Sequence, residues 1–114
     1  MPYINLKTTV KVSDEKCEKV KAAFGKAIEC FPGKSEAYLM VGIEGGAKLW
    51  FRGDASADTA IVDVELLGAV NSAASENVTK EICSILQNEL GISPERVYVK
   101  YTGYNDWGWN NMNF

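Results

Sequence analysis

The chain of 114 residues contains no histidine. This absence excludes serine–histidine–aspartate and cysteine–histidine catalysis, and it excludes metal sites built on two histidines. The three cysteines, Cys17, Cys30 and Cys83, are far apart and form no Cys-x-x-Cys pair. An odd number at such separations is a poor disulfide framework. We therefore predict free thiols, buried or half-buried on helices, in a reducing compartment.

Clustered positive charge and long apolar segments are also missing. The formal net charge is −3, and no stretch gathers lysine or arginine into a patch, which argues against nucleic acid or an anionic membrane as a principal partner. No apolar run reaches the length of a transmembrane helix and no signal peptide is recognisable, so the expected location is the cytoplasm. With 46% apolar and 24% charged residues, we predict one soluble domain, 1–114.

The pattern of apolar residues predicts the order strand, helix, strand twice, in pseudo-repeat halves 2–50 and 59–110. Alternation indicates strands at 3–9, 38–43, 60–67 and 96–101. Ser13 is the expected N-cap of the first helix, which Pro32-Gly33 would stop, and Ser72 or Ser75 is the expected N-cap of the second, which Gly91 would end. The segment 38–43 is almost continuously apolar, as in a strand covered on both faces.

Two strand–helix–strand units with right-handed crossovers give an α+β fold. We predict a four-stranded sheet with both helices on one face. Apolar residues that point both ways along the strands (Leu39, Val41, Ile61 and Leu66) predict a bare second face that a self-associating oligomer would cover. Asp63 and Glu65 are interpreted as a polar or barrel-lining face rather than as paired catalytic carboxylates, because Val62 and Val64 show plain strand alternation.

Pro2 follows the initiator Met1 directly. If Met1 is removed, Pro2 becomes a secondary amine, and a free α-amino group titrates at about 7.7–8.0 in water. Burial in an apolar pocket disfavours the charged form, so such an amine would be neutral at pH 7 and able to act as a base. The alternative is that Pro2 only starts a strand, where its missing N–H costs nothing.

The segment 101–114 is rich in aromatic residues, which predicts either a packed anchor or an apolar wall around a flat ligand. Pro2 after Met1, Gly33-Lys34, the run 91–99 and the ending Trp107-Gly108-Trp109-Asn110-Asn111 with Phe114 stand in the order found in one family. Together they resemble the macrophage migration inhibitory factor family of the tautomerase superfamily, over essentially the whole chain.

This resemblance implies a homotrimer of paired β-α-β units, with the sheets lining a central barrel and no metal or organic cofactor. It implies keto–enol tautomerisation of phenylpyruvate-like 2-oxo acids and dopachrome-type substrates. Pro2 matches the catalytic base, Lys34 the carboxylate-binding lysine and Leu67 an apolar residue whose backbone borders the site. The aromatic pocket is matched by Tyr98 (from the adjacent subunit), Trp107, Trp109 and Phe114.

Three features depart from the family pattern. Lys100 stands where well-known members have asparagine, which adds a cation that would bind substrate at the pocket mouth; a surface position is the alternative. The tail before Trp109 is shorter than in the vertebrate protein, and the Cys-x-x-Cys pair of a thiol-oxidoreductase role is absent. The competing functional interpretations are a cytokine or receptor-binding protein, secreted without a signal peptide, whose catalysis is vestigial, and a structural oligomer without chemistry.

Overall fold

The computed structural model describes residues 1–114. Its strands are β1 (Pro2–Thr8), β2 (Met40–Glu44), β3 (Ala60–Leu67), β4 (Val97–Tyr104), β5 (Gly108–Trp109) and β6 (Met112–Asn113). Its α-helices are α1 (Asp14–Ala27) and α2 (Ser72–Leu90), and short 3₁₀ helices span Ile28–Cys30, Glu36–Tyr38 and Pro94–Arg96.

The main sheet has four strands in the order β2-β1-β3-β4. β1 is parallel to β2 and β3 is parallel to β4, while the central pair β1 and β3 is antiparallel. Each parallel pair is joined by a helix, because parallel strands need a long crossover connection. β5 and β6 form a separate two-stranded ribbon at the C-terminus. The predicted sheet of four strands with two helices is confirmed.

Both helices pack on the same face of the sheet and enclose one apolar core. α1 contributes Val20 and Phe24, and α2 contributes Val78, Ile82 and Leu86, all fully buried. The strands contribute alternate residues, as a period of two requires. These are Ile4, Leu6, Val62, Val64 and Leu66, none more than 1% exposed.

The helix ends are set by local capping, mostly as predicted. The Ser13 hydroxyl accepts a hydrogen bond from the Lys16 amide, and Gly91 adopts a left-handed conformation (φ 68°) after α2. The cap of α2 is Asn71, whose side-chain oxygen accepts from the Ala74 amide at 2.9 Å. The prediction of Ser72 or Ser75 was wrong because Asn71 reaches the same orphan donors one residue earlier.

The second face of the sheet carries no helix, as predicted, but it is apolar only in part: of the four residues named for it, Ile61 lies on this face, opposite Tyr98, which is 62% exposed. Leu66 and Val41 lie on the helix side, since Leu66 belongs to the core and Val41 is in register with buried Ile4. The opposite face carries polar pairs: Asn5 donates to Glu44 at 2.8 Å, and Lys100 forms an ion pair with Asp63 at 3.1 Å. The open face is therefore a mixture of polar pairs and exposed apolar side chains, and its coverage by an oligomer stays a prediction.

Two further differences concern β2 and the cysteines. β2 is an edge strand with exposed ends rather than a strand covered on both faces, and Tyr38 precedes it in a 3₁₀ helix. The cysteines are free as predicted; Cys17 and Cys83 are half-buried, whereas Cys30 is exposed. No helix of the structure is long and apolar enough to cross a membrane.

Candidate active site

The largest cavity opens at the N-terminal end of β1 and has a volume of about 590 Å³. Eight of its 11 lining residues are hydrophobic, as is usual for small-molecule sites. They come from the chain start, the 3₁₀ helix before β2, β3 and the C-terminal ribbon. The lining is Met1, Pro2, Tyr3, Ala37, Tyr38, Leu39, Met40, Glu65, Trp107, Gly108 and Trp109.

The chain start is fixed at the floor of this cavity by the sheet. Pro2 is buried and lies opposite Leu66 in the antiparallel register of β1 and β3. The Leu67 amide donates to the Met1 carbonyl at 3.1 Å. Because Pro2 has no N–H, its place as the first residue of the strand leaves no ladder bond unmade.

Lys34 places a positive charge beside the Met1 amine, although it is not itself a lining residue of the cavity. It follows Gly33, whose left-handed backbone (φ 78°) turns the chain after the first helix. The Lys34 ammonium donates to the Leu67 carbonyl at 3.1 Å, which leaves two of its three N–H groups for other partners. Burial lowers the pKa of the Met1 α-amine below its ordinary value, and the neighbouring Lys34 charge lowers it further.

The C-terminal ribbon supplies an aromatic wall. Asn110 and Asn111 adopt positive φ (53° and 69°) between β5 and β6, the conformation that a two-residue hairpin turn needs. The Trp109 ring meets Tyr38 edge to face at a centroid distance of 5.9 Å. Its other neighbour is Phe114, stacked at 6.2 Å. Phe114 therefore supports the wall through Trp109 rather than lining the cavity itself.

Two of the residues predicted to bind substrate lie elsewhere in the chain. Tyr98 is 62% exposed, opposite Ile61 in β3, and its ring is 5.3 Å from that of Phe51. Lys100 is paired with Asp63 on the open face of the sheet. Of the predicted site residues, the structure lines the cavity with Pro2, Trp107 and Trp109. Lys34, Leu67 and Phe114 lie beside it, in contact with each other or with a lining residue, and Tyr98 and Lys100 lie outside the cavity of their own chain.

Sequence reasoning named three of the 11 lining residues and missed the other eight, among them Tyr3, Tyr38, Met40 and Glu65. Strand alternation places Tyr3 on the face opposite buried Ile4, and the sheet register aligns it with Met40 on one side and Glu65 on the other. The face of Tyr3 could be predicted from strand alternation alone, whereas its alignment with Met40 and Glu65 required the register of the sheet. No sequence pattern predicted that Tyr38 lines the cavity, because Tyr38 belongs to the 3₁₀ helix before β2 and not to a strand with alternating faces.

The site is an apolar cavity with an amine of lowered pKa, an ammonium beside it and aromatic walls. No group of three or more histidine, cysteine, aspartate or glutamate side chains is placed to hold a metal ion. The residues present suit acid–base chemistry on a small planar anion: an uncharged amine accepts a proton, and a lysine binds a carboxylate.

Two β-α-β units, each with a parallel strand pair, and a buried proline that follows Met1 at an apolar cavity are typical of the tautomerase superfamily, which is the class of this protein. Residues 1–113 match the family described as Macrophage migration inhibitory factor (MIF). The chain belongs to the macrophage migration inhibitory factor family.

Individual relatives agree with this assignment. The macrophage migration inhibitory factor of Rattus norvegicus is 32% identical over 72% of each chain, and that of Xenopus laevis is 27% identical over 100% of this chain and 99% of its own. Among solved structures, a protein of this family from Leishmania major is 30% identical with a TM-score of 0.91, covering 100% of this chain and 97% of its own. A homologue from Prochlorococcus marinus is 26% identical with a TM-score of 0.86, covering 98% of each chain.

Proposed function

We propose that this protein is a keto–enol tautomerase of phenylpyruvate-like 2-oxo acids and dopachrome-type substrates. In this proposal, Met1 is removed and the nitrogen of Pro2 is the general base. The observation that carries it is the place of Pro2, which is buried and lines an apolar cavity directly after Met1, whose own amine has a pKa lowered by burial and by Lys34. Once Met1 is gone, the terminal amine is that of Pro2, which is itself buried and lines the same cavity.

The reaction moves one proton from the carbon beside a ketone to the ketone oxygen. The Pro2 nitrogen takes the proton as the C–H bond breaks, the C–H electrons form the C=C bond, and the carbonyl electrons move to oxygen. The protonated amine then gives the proton to that oxygen, so no co-reactant is consumed. Lys34 holds the substrate carboxylate by charge-assisted hydrogen bonds, and the wall of Trp107 and Trp109 packs the substrate ring and excludes water.

The proposed assembly is a homotrimer of single-domain chains, 1–114. It is supported by family membership and by exposed aromatic residues outside the cavity, Trp50 (65%) and Tyr98 (62%), since such side chains commonly mark interfaces. In the trimer, Tyr98 and Lys100 reach the cavity of the adjacent chain. Sedimentation equilibrium tests this: a monomer at micromolar concentration contradicts it.

The decisive experiment compares native protein with Pro2→Gly in an absorbance assay of phenylpyruvate enolisation. Intact mass first establishes that Met1 has been removed. Glycine keeps an amine but loses the secondary nitrogen and its fixed geometry, so we expect kcat/KM to fall by about 10²-fold or more. Equal rates, or full activity in a preparation that retains Met1 in every molecule, remove Pro2 from the mechanism.

Covalent labelling gives an independent measure of the same nitrogen. One protein of this fold, 15% identical with a TM-score of 0.77, was solved after inactivation by 2-oxo-3-pentynoate. This reagent is a 2-oxo acid with a conjugated triple bond, which an uncharged amine attacks. We expect one adduct per chain, mapped to Pro2 by peptide mass, and protection by phenylpyruvate. An adduct confined to the cysteines would contradict an uncharged Pro2 amine.

The curated relatives carry a name that describes inhibition of macrophage migration. This favours a second candidate function, that of a cytokine-like receptor ligand in which catalysis is vestigial. Its test is cell-surface binding of native protein and of Pro2→Gly. Binding that Pro2→Gly retains supports the second function, and binding that is absent in both contradicts it.

A further inference from the structure

Glu65 is the only carboxylate among the residues that line the main cavity. It lies opposite Tyr3 in the register of β1 and β3 and is half-buried. Its neighbour on the same strand face, Asp63, is neutralised by Lys100 at 3.1 Å. Glu65 has no ion-pair partner, and its one side-chain hydrogen bond comes from the Tyr104 hydroxyl at 3.3 Å. Most of the acceptor capacity of this carboxylate therefore remains open.

A second, smaller cavity of about 270 Å³ adjoins the main one through Glu65, Trp107 and Gly108. Its remaining lining residues are Tyr104 and Asp106. The rings of Tyr104 and Trp107 meet edge to face at 6.0 Å. The negative charge of Glu65 is the largest cause that raises the pKa of the Tyr104 phenol; Asp63 adds to it, and the more weakly acting Lys100 opposes it.

The Lys34 ammonium and the Glu65 carboxylate are associated with different residues of β3. The Lys34 ammonium donates to the carbonyl of Leu67. Glu65 lies two residues before Leu67 on β3, so the backbones of these two residues are about 7 Å apart along the strand. The cavity is therefore positive where a carboxylate would be held and negative where the distal end of an aromatic acid would lie. Aromatic faces beside a carboxylate are the surroundings that bind organic cations.

We propose that Glu65 is a specificity-determining residue that selects aromatic 2-oxo acids carrying a positively charged amine on the ring. The ammonium lies in the smaller cavity, between the Glu65 carboxylate and the rings of Tyr104 and Trp107, while Lys34 holds the acid group. The selection of substrates rests on the proposed function, whereas binding of the ammonium group by Glu65 does not require turnover.

The kinetic test compares 4-(aminomethyl)phenylpyruvate with 4-ethylphenylpyruvate, an uncharged substrate of similar size. In native protein we expect kcat/KM to favour the cationic substrate by about 10-fold, and Glu65→Gln to abolish that preference, mostly through KM. Circular dichroism and the urea midpoint of Glu65→Gln report folding independently of activity. Glu44→Gln removes the same charge from an exposed residue on the same face, bonded to Asn5, and should keep the preference.

The binding test uses 3-[4-(aminomethyl)phenyl]propanoate and 3-(4-ethylphenyl)propanoate, which have no ketone and cannot enolise. Calorimetry should show the cationic acid binding about 10-fold more tightly, with the difference lost in Glu65→Gln. A preference found here in a protein without tautomerase activity supports the role of Glu65 and contradicts the proposed function. Failure of the cationic acid to bind native protein, or an equal preference in Glu65→Gln, overturns the inference.

Discussion

The two faces of the main sheet are built from the same strands but differ in what they contact. Toward the helices, Ile4, Leu6 and Val64 are completely buried. On the other face, Asn5 binds Glu44 and Lys100 binds Asp63 across neighbouring strands. One set of alternate residues is removed from water, and the other set remains in polar contacts at the surface of the chain.

This difference separates stability from recognition along each strand. Burial of large apolar side chains contributes most of the folding free energy, whereas exposed ion pairs contribute little. The cavity forms where the open face meets the chain start and the C-terminal ribbon, so its polar residues can change with little effect on folding. Substitutions on the two faces should accordingly differ in both the size and the kind of their effect.

The largest expected effect is that of Phe24→Ala on the helix face. Phe24 is fully buried in the core, and truncation removes a ring and leaves a cavity, so we expect a loss of about 3–5 kcal/mol in the free energy of unfolding. Urea denaturation followed by circular dichroism measures it. Lys21→Ala, on the exposed side of the same helix, is the control and should cost less than about 0.5 kcal/mol. A loss below 1 kcal/mol for Phe24→Ala would contradict the assigned core.

Next in size is Lys34→Ala, which acts at the cavity rather than in the core. The loss of the carboxylate partner should lower kcat/KM by about 10²-fold, mainly through KM. Lys34 lowers the pKa of the Met1 amine, and we expect the same effect on the Pro2 amine once Met1 is removed, so Lys34→Ala should raise the pKa of that base. Since a protonated amine is no base, the acid limb of the kcat/KM profile moves to higher pH.

The measurement is kcat/KM between pH 5 and 9 for native protein and for Lys34→Ala. Lys26→Ala, in the last turn of α1, carries the same charge change away from the cavity and should leave the profile in place. An unchanged acid limb in Lys34→Ala would show that Lys34 does not act on the base.

The elements that were predicted well depend on neighbours in the sequence. β3 has the predicted bounds: apolar and polar residues alternate from Val62 to Leu66, and burial alternates over all eight positions. Ser13 and Gly91 mark helix ends through contacts within one turn of the chain. Lys34, Trp107 and Trp109 were predicted as site residues from the resemblance to the macrophage migration inhibitory factor family, whose sequence motifs they match.

The features that were missed depend on tertiary contacts. α1 ends at Ala27 and continues as a 3₁₀ helix to Cys30, short of Pro32-Gly33, where buried Phe31 turns into the core. The role of Glu65 in the cavity required the register of β1 and β3 and the position of Trp107, neither of which alternation specifies. Strand alternation predicts that a polar residue points away from the core, but it does not distinguish a residue that faces solvent from one that faces a cavity.

Tyr101→Phe should give a smaller, intermediate loss of stability. Its hydroxyl lies 2.7 Å from the Thr79 hydroxyl and donates to the Ser75 carbonyl at 2.9 Å, in a half-buried position between β4 and α2. Removal of one hydroxyl leaves these partners unpaired, at a cost of about 1–1.5 kcal/mol. Urea denaturation measures it, with Tyr104→Phe as control, because that exposed hydroxyl makes a single long bond. Equal losses in the two variants would contradict the contribution of the buried network.

The smallest expected effect is that of Lys100→Ala on the open face. The Lys100 and Asp63 side chains are 63% and 35% exposed, so the ion pair should contribute less than about 1 kcal/mol. The difference from native protein in urea denaturation should shrink further in 1 M NaCl, because salt screens exposed charges. A loss of several kcal/mol that salt leaves unchanged would mean that this pair is shielded from water. The open face would then be buried against another copy of the chain, and the contrast between the two faces would hold for one chain but not for the assembly.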